Sequence, residues 1–314
     1  MKRNVTYPMS LEATVDSRQK LIINKSEMNL KTLFATVCCS IATTSLGKDL
    51  ESKKSSAGRN FYVVGDFGWV QDMTDGNTVF DAINETKGKA EPGSIDDGEF
   101  FVTAGDNLYP ADGYNPTDEE FATMMTLFER ENLKDLKVHA IRGNHDCYFD
   151  DAFELDKTDE YDQWEMPSFY YTKEIEVGTN GEKMGFLMVD SCLMLCANYS
   201  YAGDSGGHML LHAEHKRLRD VVCDDPVVTQ KGNDMYTWIN DTLKEWAEDE
   251  KMLWKATVLH HPMWGKWYPD FANIVLNFLP MLQDHKFDVY LNGHEHVISY
   301  AHYPYSQIET NYYH

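Results

Sequence analysis

Apolar and polar residues alternate along the chain in a way that predicts strands and helices in turn. From Phe61 onward, runs rich in β-branched and aromatic residues predict strands at 61–64, 100–104, 137–142, 185–190, 255–259 and 288–292. Between them, apolar residues at helical spacing predict helices over 118–132, 234–250 and 270–285. This order of elements predicts an α/β fold, in one domain over residues 58–314.

The segment 197–233 breaks this alternation because it is polar, rich in glycine and without periodicity. We interpret it as a long surface loop. It is either a lid or processing loop, or an ordinary disordered excursion.

The balance of charge excludes one class of partner. The chain of 314 residues carries 28 Lys and Arg against 51 Asp and Glu, a formal net charge of −23. Such a surface repels the phosphate backbone, so we expect no nucleic-acid partner. An acidic chain that acts on phosphate esters must concentrate positive charge locally, and bound metal ions do this most directly.

The N-terminal region contains a short apolar run at 32–41, which is too short to span a bilayer as a helix. With Met28 as the start, residues 28–47 have the pattern of a signal peptide, and residues 1–27 would be a wrongly assigned extension. The alternative is a disordered tail with a buried helix. The signal peptide and the sequons at Asn84, Asn198 and Asn240 predict a secreted glycoprotein, or one in a lysosome-like acidic compartment.

Four cysteines lie outside the predicted signal peptide: Cys147, Cys192, Cys196 and Cys223. In an oxidising compartment Cys196 could pair with either Cys223 or Cys192, and the connectivity cannot be deduced from the sequence. A four-cysteine zinc site is disfavoured because no C-x₂-C pair is present.

Polar blocks follow five of the predicted strands, each at the point where the strand ends. They are GDFG (65–68), GDNLY (105–109), GNHD (143–146), HHP (260–262) and GHEH (293–296). Each block alone is weak, because a GD pair is more often a turn and a single His is more often a core or surface residue. Their joint occurrence behind apolar strands predicts a metal centre along one edge of a sheet.

The residue types in these blocks are suited to two metal ions. A pair about 3.5–4 Å apart needs one bridging carboxylate and separate ligands for each ion. Asp106 is the natural bridge, since it lies centrally in the set. The phenolate oxygen of Tyr109 is a hard anionic donor that favours a trivalent ion, which indicates Fe(III). The other candidate ligands are Asp66, Asn144, His260, His294 and His296.

These blocks resemble those of the purple acid phosphatases, within the calcineurin-like metallophosphoesterases, and above all the small, tartrate-resistant type. The resemblance spans roughly residues 61–300, with all five blocks in order. It implies a four-layer α/β/β/α sandwich of two mixed sheets. By resemblance, Fe(III) is bound by Asp66, Tyr109 and His296, and Asp106 bridges. A divalent ion (Fe, Zn or Mn) is bound by Asn144, His260 and His294.

The resemblance also implies a reaction. A hydroxide on the metal ions attacks the phosphorus of a phosphomonoester, and His145 stabilises the transition state and protonates the leaving group. The expected enzyme is an acid phosphatase that acts on a small phosphate ester or a phosphoprotein, as a monomer. The rivals are a phosphodiesterase or nucleotide hydrolase with two divalent ions, and a non-catalytic metal-binding interaction protein.

The chain departs from the family pattern in three places. His261 stands where the small enzymes usually have Tyr, so it is an extra acid or phosphate donor or a surface substitution, and it could exchange the ligand role with His260. The usual cysteine partner is missing from 269–281, which argues against a family-like disulfide from Cys196. The chain stops at His314, soon after GHEH, so we expect the second sheet to be truncated at its C-terminal side.

Overall fold

The computed structural model describes residues 36–41, 59–113, 115–148, 152–199, 223, 225–263, 272–296, 298–302 and 309–313. The helices are α1 (Thr74–Lys89), α2 (Asp118–Met125), α3 (Phe153–Glu160), α4 (Ser191–Cys196), α5 (Pro226–Glu248) and α6 (Ala272–Asp284). The strands are β1 (Thr36–Ile41), β2 (Arg59–Val64), β3 (Phe100–Thr103), β4 (Lys137–His139), β5 (Trp164–Glu165), β6 (Tyr171–Glu176), β7 (Lys183–Met188), β8 (Met252–Val258), β9 (Val289–Leu291), β10 (Ile298–His302) and β11 (Glu309–Tyr313).

The strands form two mixed sheets and one separate pair. The first sheet has the order β1-β2-β3-β4-β5 and the second has the order β6-β7-β8-β9. Strands β2 to β5 are parallel, as are β7 to β9, whereas β1 and β6 join antiparallel. Strands β10 and β11 pair with each other. Parallel strands end at the same edge of a sheet, so the loops that follow them gather there.

The two sheets pack face to face through alternate residues of their strands. Phe61 and Val63 of β2 contact Phe186 and Met188 of β7 within one buried cluster, while the intervening Tyr62 and Val64 belong to the cluster on the opposite face. This alternation follows from the two-residue period of a strand. Strand β2 is therefore buried on both of its faces.

Helices cover the outer faces of both sheets. Phe80 of α1 and Phe121 of α2 pack against the first sheet. Leu193 of α4, Ile239 of α5 and Phe278 of α6 pack beside the second. The layers are therefore helix, sheet, sheet and helix, which confirms the predicted four-layer α/β/β/α sandwich.

Two predicted helices have different bounds in the structure. The helix predicted over 234–250 begins at Pro226 instead, so the loop predicted over 197–233 is wrong in its last residues. The Asp225 side chain accepts a hydrogen bond from the Val227 N–H, which starts the helix. Helix α2 ends at Met125 instead of residue 132. The Arg130 guanidinium donates to the carbonyl oxygens of Thr126 and Leu127, which satisfies acceptors that a continuing helix would have used.

The cysteines form two disulfides in the described part of the chain, Cys147–Cys192 and Cys196–Cys223. The Cys196–Cys223 bond is one of the two pairings of Cys196 that the sequence left open. It takes the place of the disulfide that the family resemblance would have given to Cys196. The first joins the loop after β4 to α4, and sequence reasoning did not consider it.

The predicted signal-peptide core overlaps β1, whose backbone pairs with β2; the rest of residues 1–47 lies outside the described residues. Within the described ranges, no helix is both long enough and apolar enough to cross a bilayer.

Candidate metal centre

The five polar blocks converge at the carboxyl ends of parallel strands from both sheets. The GDFG, GDNLY and GNHD blocks follow β2, β3 and β4 of the first sheet, and the HHP and GHEH blocks follow β8 and β9 of the second. The structure brings together the side chains of all seven candidate ligands: Asp66, Asp106, Tyr109, Asn144, His260, His294 and His296.

The backbone is strained where these side chains are aimed inward. Five non-glycine residues have positive φ among the described residues, and four of them are candidate ligands: Asp66 (57°), Asp106 (51°), His294 (76°) and His296 (48°). Each such residue costs about 1–3 kcal/mol, and such strain clusters at functional sites. Close packing also requires glycine at Gly143, where a Cβ would lie 2.2 Å from Asp106 Oδ1.

One group of donor atoms surrounds the Tyr109 hydroxyl, and we call Asp66, Tyr109 and His296 the tyrosine set. Tyr109 Oη lies 3.5 Å from Asp66 Oδ1 and 3.3 Å from His296 Nε2. His296 Nε2 lies 3.2 Å from Asp66 Oδ1. The His296 side chain is 52% exposed, so this set opens to solvent.

A second group surrounds the Asn144 amide oxygen, and we call Asn144, His260 and His294 the amide set. Asn144 Oδ1 lies 3.0 Å from His260 Nε2 and 2.8 Å from His294 Nδ1, and the two imidazole nitrogens are 3.3 Å apart. His260 Nδ1 contacts the carbonyl oxygen of Ala104 at 2.7 Å, which orients the ring. His260 is fully buried.

Asp106 lies between the two sets. Its Oδ2 is 3.0 Å from Tyr109 Oη and 3.4 Å from His260 Nε2. Its Oδ1 accepts a hydrogen bond from the His145 backbone N–H at 2.8 Å. The same carboxylate therefore contacts one donor atom of each set.

The donor atoms fit a pair of metal ions. Ligands about 2.0–2.2 Å from one ion lie about 3 Å from each other, and the contacts within each set are 2.8–3.5 Å. The tyrosine set contains a carboxylate and a phenol, which suit a trivalent ion, whereas the amide set is neutral and suits a divalent one.

Burial and neighbouring carboxylates control protonation in these sets. Burial raises the pKa of Tyr109 far above its usual value, and the negative charges of Asp106 and Asp66 raise it further. Burial lowers the pKa of His260, but the Asp106 carboxylate outweighs it and the result is a pKa of about 9. A cation that binds must therefore displace protons from both sets.

Asp146, which sequence reasoning had left without a role, holds the loops that carry the ligands. Its fully buried carboxylate accepts hydrogen bonds from the backbone N–H groups of Asn107, Leu108 and Gly143 at 3.0, 3.0 and 2.7 Å. These donors belong to the GDNLY and GNHD loops. Burial and the nearby Asp106 charge raise the pKa of Asp146 to about 6.

The two predicted catalytic histidines lie beside the ligand sets. The half-buried His145 ring packs on Tyr109 with the ring centroids 4.4 Å apart. His261 is fully buried, which is not the position of a surface substitution. Its Nδ1 lies 2.6 Å from Ser191 Oγ, and its ring centroid is 4.8 Å from that of His294.

Comparison with known proteins identifies the family. The family model described as calcineurin-like phosphoesterase matches residues 59–298. The chain belongs to this family.

Among curated relatives, tartrate-resistant acid phosphatase type 5 of Sus scrofa is 24% identical over 64% of this chain, and this chain covers only 54% of it. The Rattus norvegicus protein of the same name is 23% identical over 76% of this chain and 67% of its own length. Purple acid phosphatase 17 of Arabidopsis thaliana is 22% identical over 90% of this chain and 75% of its own length.

A solved structure, described as GAP50, the anchor in the inner membrane complex of Plasmodium, has the same fold. It superposes with a TM-score of 0.54 at 14% identity, over 79% of this chain and 69% of that one. The comparisons therefore show the family and the fold of this chain.

Proposed function

We propose that this chain is a secreted acid phosphatase that hydrolyses phosphomonoesters at a binuclear Fe(III)–M(II) centre. The observation that carries the proposal is the position of Asp106, whose Oδ2 contacts both Tyr109 Oη and His260 Nε2. One shared carboxylate between an anionic and a neutral donor set is what two ions of different charge require. The distant acid phosphatase relatives support the same activity.

The assignment of iron rests on the Tyr109 phenol. Because burial and two carboxylates raise its pKa, loss of its proton favours a strongly Lewis-acidic ion. In the proposal the tyrosine set holds Fe(III), and the amide set holds a divalent Fe, Zn or Mn. When bound, the two ions would supply Lewis acidity to the phosphate and to the attacking water.

The chain's own residues would position the ester and move one proton. The His145 backbone N–H donates to the Asp106 carboxylate, and the half-buried His145 ring packs on Tyr109. Protonation of the leaving alkoxide by this ring is the role proposed for it. His261 remains a candidate acid or phosphate donor, and its contacts with Ser191 and the His294 ring also make it a support for the amide set.

Metal analysis combined with turnover tests the proposal. Protein from its native source should hold close to two metal ions per chain, at least one of them iron, and should hydrolyse 4-nitrophenyl phosphate with an acidic optimum. Two divalent ions without iron, with activity on diesters or nucleotides, would favour the two-divalent-metal phosphodiesterase or nucleotide hydrolase. Bound metal without any turnover would favour the non-catalytic alternative.

The secretory part of the proposal has a separate test. Expressed from Met28 in a eukaryotic host, the chain should be cleaved by about position 47 and carry glycan on one or more of Asn84, Asn198 and Asn240. A cytosolic, uncleaved and unglycosylated product would contradict secretion without affecting the metal centre.

A further inference from the structure

A cavity of about 340 Å³ lies directly beside the tyrosine set, and its lining includes Asp66, Tyr109 and His296. Its volume falls within the range of about 300–1,000 Å³ that small-molecule sites occupy. An ester whose phosphate lies at the proposed metal centre would place its organic group in this cavity or next to it. The chemistry of the cavity walls therefore bears on which esters fit.

The walls combine an apolar base with an aromatic ring. Val79 and Phe80 of α1 line the cavity and are buried. Trp69 also lines it, is 55% exposed, and packs on Tyr109 with the ring centroids 5.5 Å apart. An exposed indole that packs on a candidate ligand and borders a cavity is placed to contact whatever fills that cavity.

The loop that carries Trp69 is held in place on both sides. The Tyr109 N–H donates to the Gly68 carbonyl oxygen at 3.0 Å, and the Gln71 side chain donates to the Tyr109 carbonyl oxygen at 2.9 Å. Gly68 is packed so closely that a Cβ would lie 1.8 Å from the Asn107 carbonyl oxygen. The backbone that carries the indole is therefore held in place, which lowers the entropy cost of ordering this loop when a ligand binds.

Away from the tyrosine set, the charged side chains that line the cavity are acidic. Asp72 and Asp75 line it, and its described lining includes no lysine or arginine. Asp72 Oδ1 accepts the Thr74 N–H at 3.0 Å. The Thr74 hydrogen bonds also hold the pKa of Asp72 below its usual value, which favours the charged form of the carboxylate. This contact also occupies an N–H at the start of α1 that could otherwise have bound an anion.

We infer that this cavity is a subsite for a cationic amine, and that the preferred substrates are small phosphomonoesters whose organic group carries a primary or quaternary ammonium. Trp is the aromatic side chain that binds cations best through its face, and the two carboxylates add charge attraction. The apolar base accommodates methylene or methyl groups. Esters with further phosphates are disfavoured, because a second anion would meet Asp72 and Asp75. This inference rests on the proposed function and specifies its substrate class.

A pair of isosteric esters tests the inference on the metal-loaded, full-length protein. Phosphocholine and 3,3-dimethylbutyl phosphate have the same shape and differ in one positive charge. We expect kcat/KM to be about tenfold higher for phosphocholine, the scale of one cation–aromatic contact supported by carboxylates. Asp72→Asn, Asp75→Asn and Trp69→Leu should each lower this ratio towards one.

The matched control is Asp135→Asn. Asp135 is exposed and lies just before β4, at the end of the strands opposite the metal centre. This variant removes one negative charge from the same protein and should leave the ratio unchanged. A ratio that falls equally in Asp135→Asn would mean that the net charge of the protein, and not the cavity, produces the preference, which would overturn the inference.

A binding measurement separates the subsite from the reaction. Choline should bind the metal-loaded protein in calorimetry, with weaker binding to Asp72→Asn and Trp69→Leu, while 3,3-dimethylbutanol should not bind. If choline binds but no ester is hydrolysed, the proposed function fails and the subsite stands. If aryl phosphates are hydrolysed while the two isosteric esters react equally and choline does not bind, the inference is wrong and the proposed function stands.

Discussion

The tyrosine set and the amide set of the candidate metal centre differ in charge, in burial and in their neighbours. The tyrosine set has a carboxylate and a phenol, an exposed His296 and an open cavity beside it. The amide set has only donors that are neutral when they bind a metal, and its His260 is fully buried. In the proposed function, the tyrosine set would select the more highly charged ion on the side that opens to the cavity, whereas the amide set would hold a divalent ion in more buried surroundings.

The largest expected effect comes from the residue that the two sets share. Asp106→Asn removes an anionic oxygen that contacts both sets but keeps the shape of the side chain. We expect less than one metal ion per chain and a loss of turnover on the order of 10⁴-fold, as when an interdependent catalytic unit is broken. Metal analysis and hydrolysis of 4-nitrophenyl phosphate measure both effects. Two tightly bound ions in this variant would show that Asp106 is not the bridge.

His145→Ala tests a residue that contacts the centre without belonging to either set. The backbone N–H to Asp106 is retained, so metal content and colour should stay as in the wild type. Turnover should fall about 10²–10⁴-fold, the usual scale of general acid–base assistance. Turnover should fall more for esters with poor leaving groups than for 4-nitrophenyl phosphate, whose leaving group departs without a proton. Loss of metal from this variant would instead make His145 a ligand.

Asp146→Asn disturbs the support of both sets at once, because the new amide N–H₂ would face backbone N–H donors of the GDNLY and GNHD loops. We expect metal affinity to fall about 10–100-fold, as for other partners that orient ligands. Titration with a competing chelator measures the affinity. Asp159→Asn, an exposed change on α3, is the matched control. Equal metal affinity in both variants would show that Asp146 does not support the ligands.

The last expected effect is a pH dependence of the amide set. The Asp106 carboxylate raises the pKa of His260 to about 9 against the effect of burial, so the metal-free site holds a proton there at neutral pH. A raised pKa stabilises the protonated, metal-free state, and a divalent ion must displace that proton. Affinity of the metal-free protein for Zn²⁺ should therefore fall about tenfold for each pH unit below about 9. Affinity that stays constant from pH 9 to 6 would contradict this.

The sequence predicted which side chains lie close together better than it predicted the elements around them. Short blocks behind apolar strands were enough to place the candidate ligands, because parallel strands bring their carboxyl ends to one edge. The start of α5 was missed because its signal, Asp225 followed by Pro226, stands at the end of an aperiodic polar segment. The Cys147–Cys192 disulfide could not be predicted because it joins residues 45 positions apart, which only the packed fold brings together.

Residues that support the site only through contacts in the folded chain show no pattern in the sequence. Asp146 stands in GNHD, but its hydrogen bonds to the preceding GDNLY loop depend on the pairing of β3 with β4. Trp69 and Asp72 follow GDFG and have no periodicity, so only the position of α1 reveals that they border a cavity. Only the neighbouring glycines in the sequence indicated the positive φ angles at Asp66 and Asp106.

The visible spectrum and metal content of two matched variants test the two-set account most directly. Tyr109→Phe removes the phenol oxygen from the tyrosine set and keeps the ring, while His260→Ala removes one imidazole from the amide set. Because a tyrosinate bound to Fe(III) would colour the protein, Tyr109→Phe should lose the visible band with iron retained through Asp66, Asp106 and His296. His260→Ala should keep the band and lose the divalent ion. A Tyr109→Phe protein with its colour unchanged, or a His260→Ala protein that still holds both ions, would contradict the account.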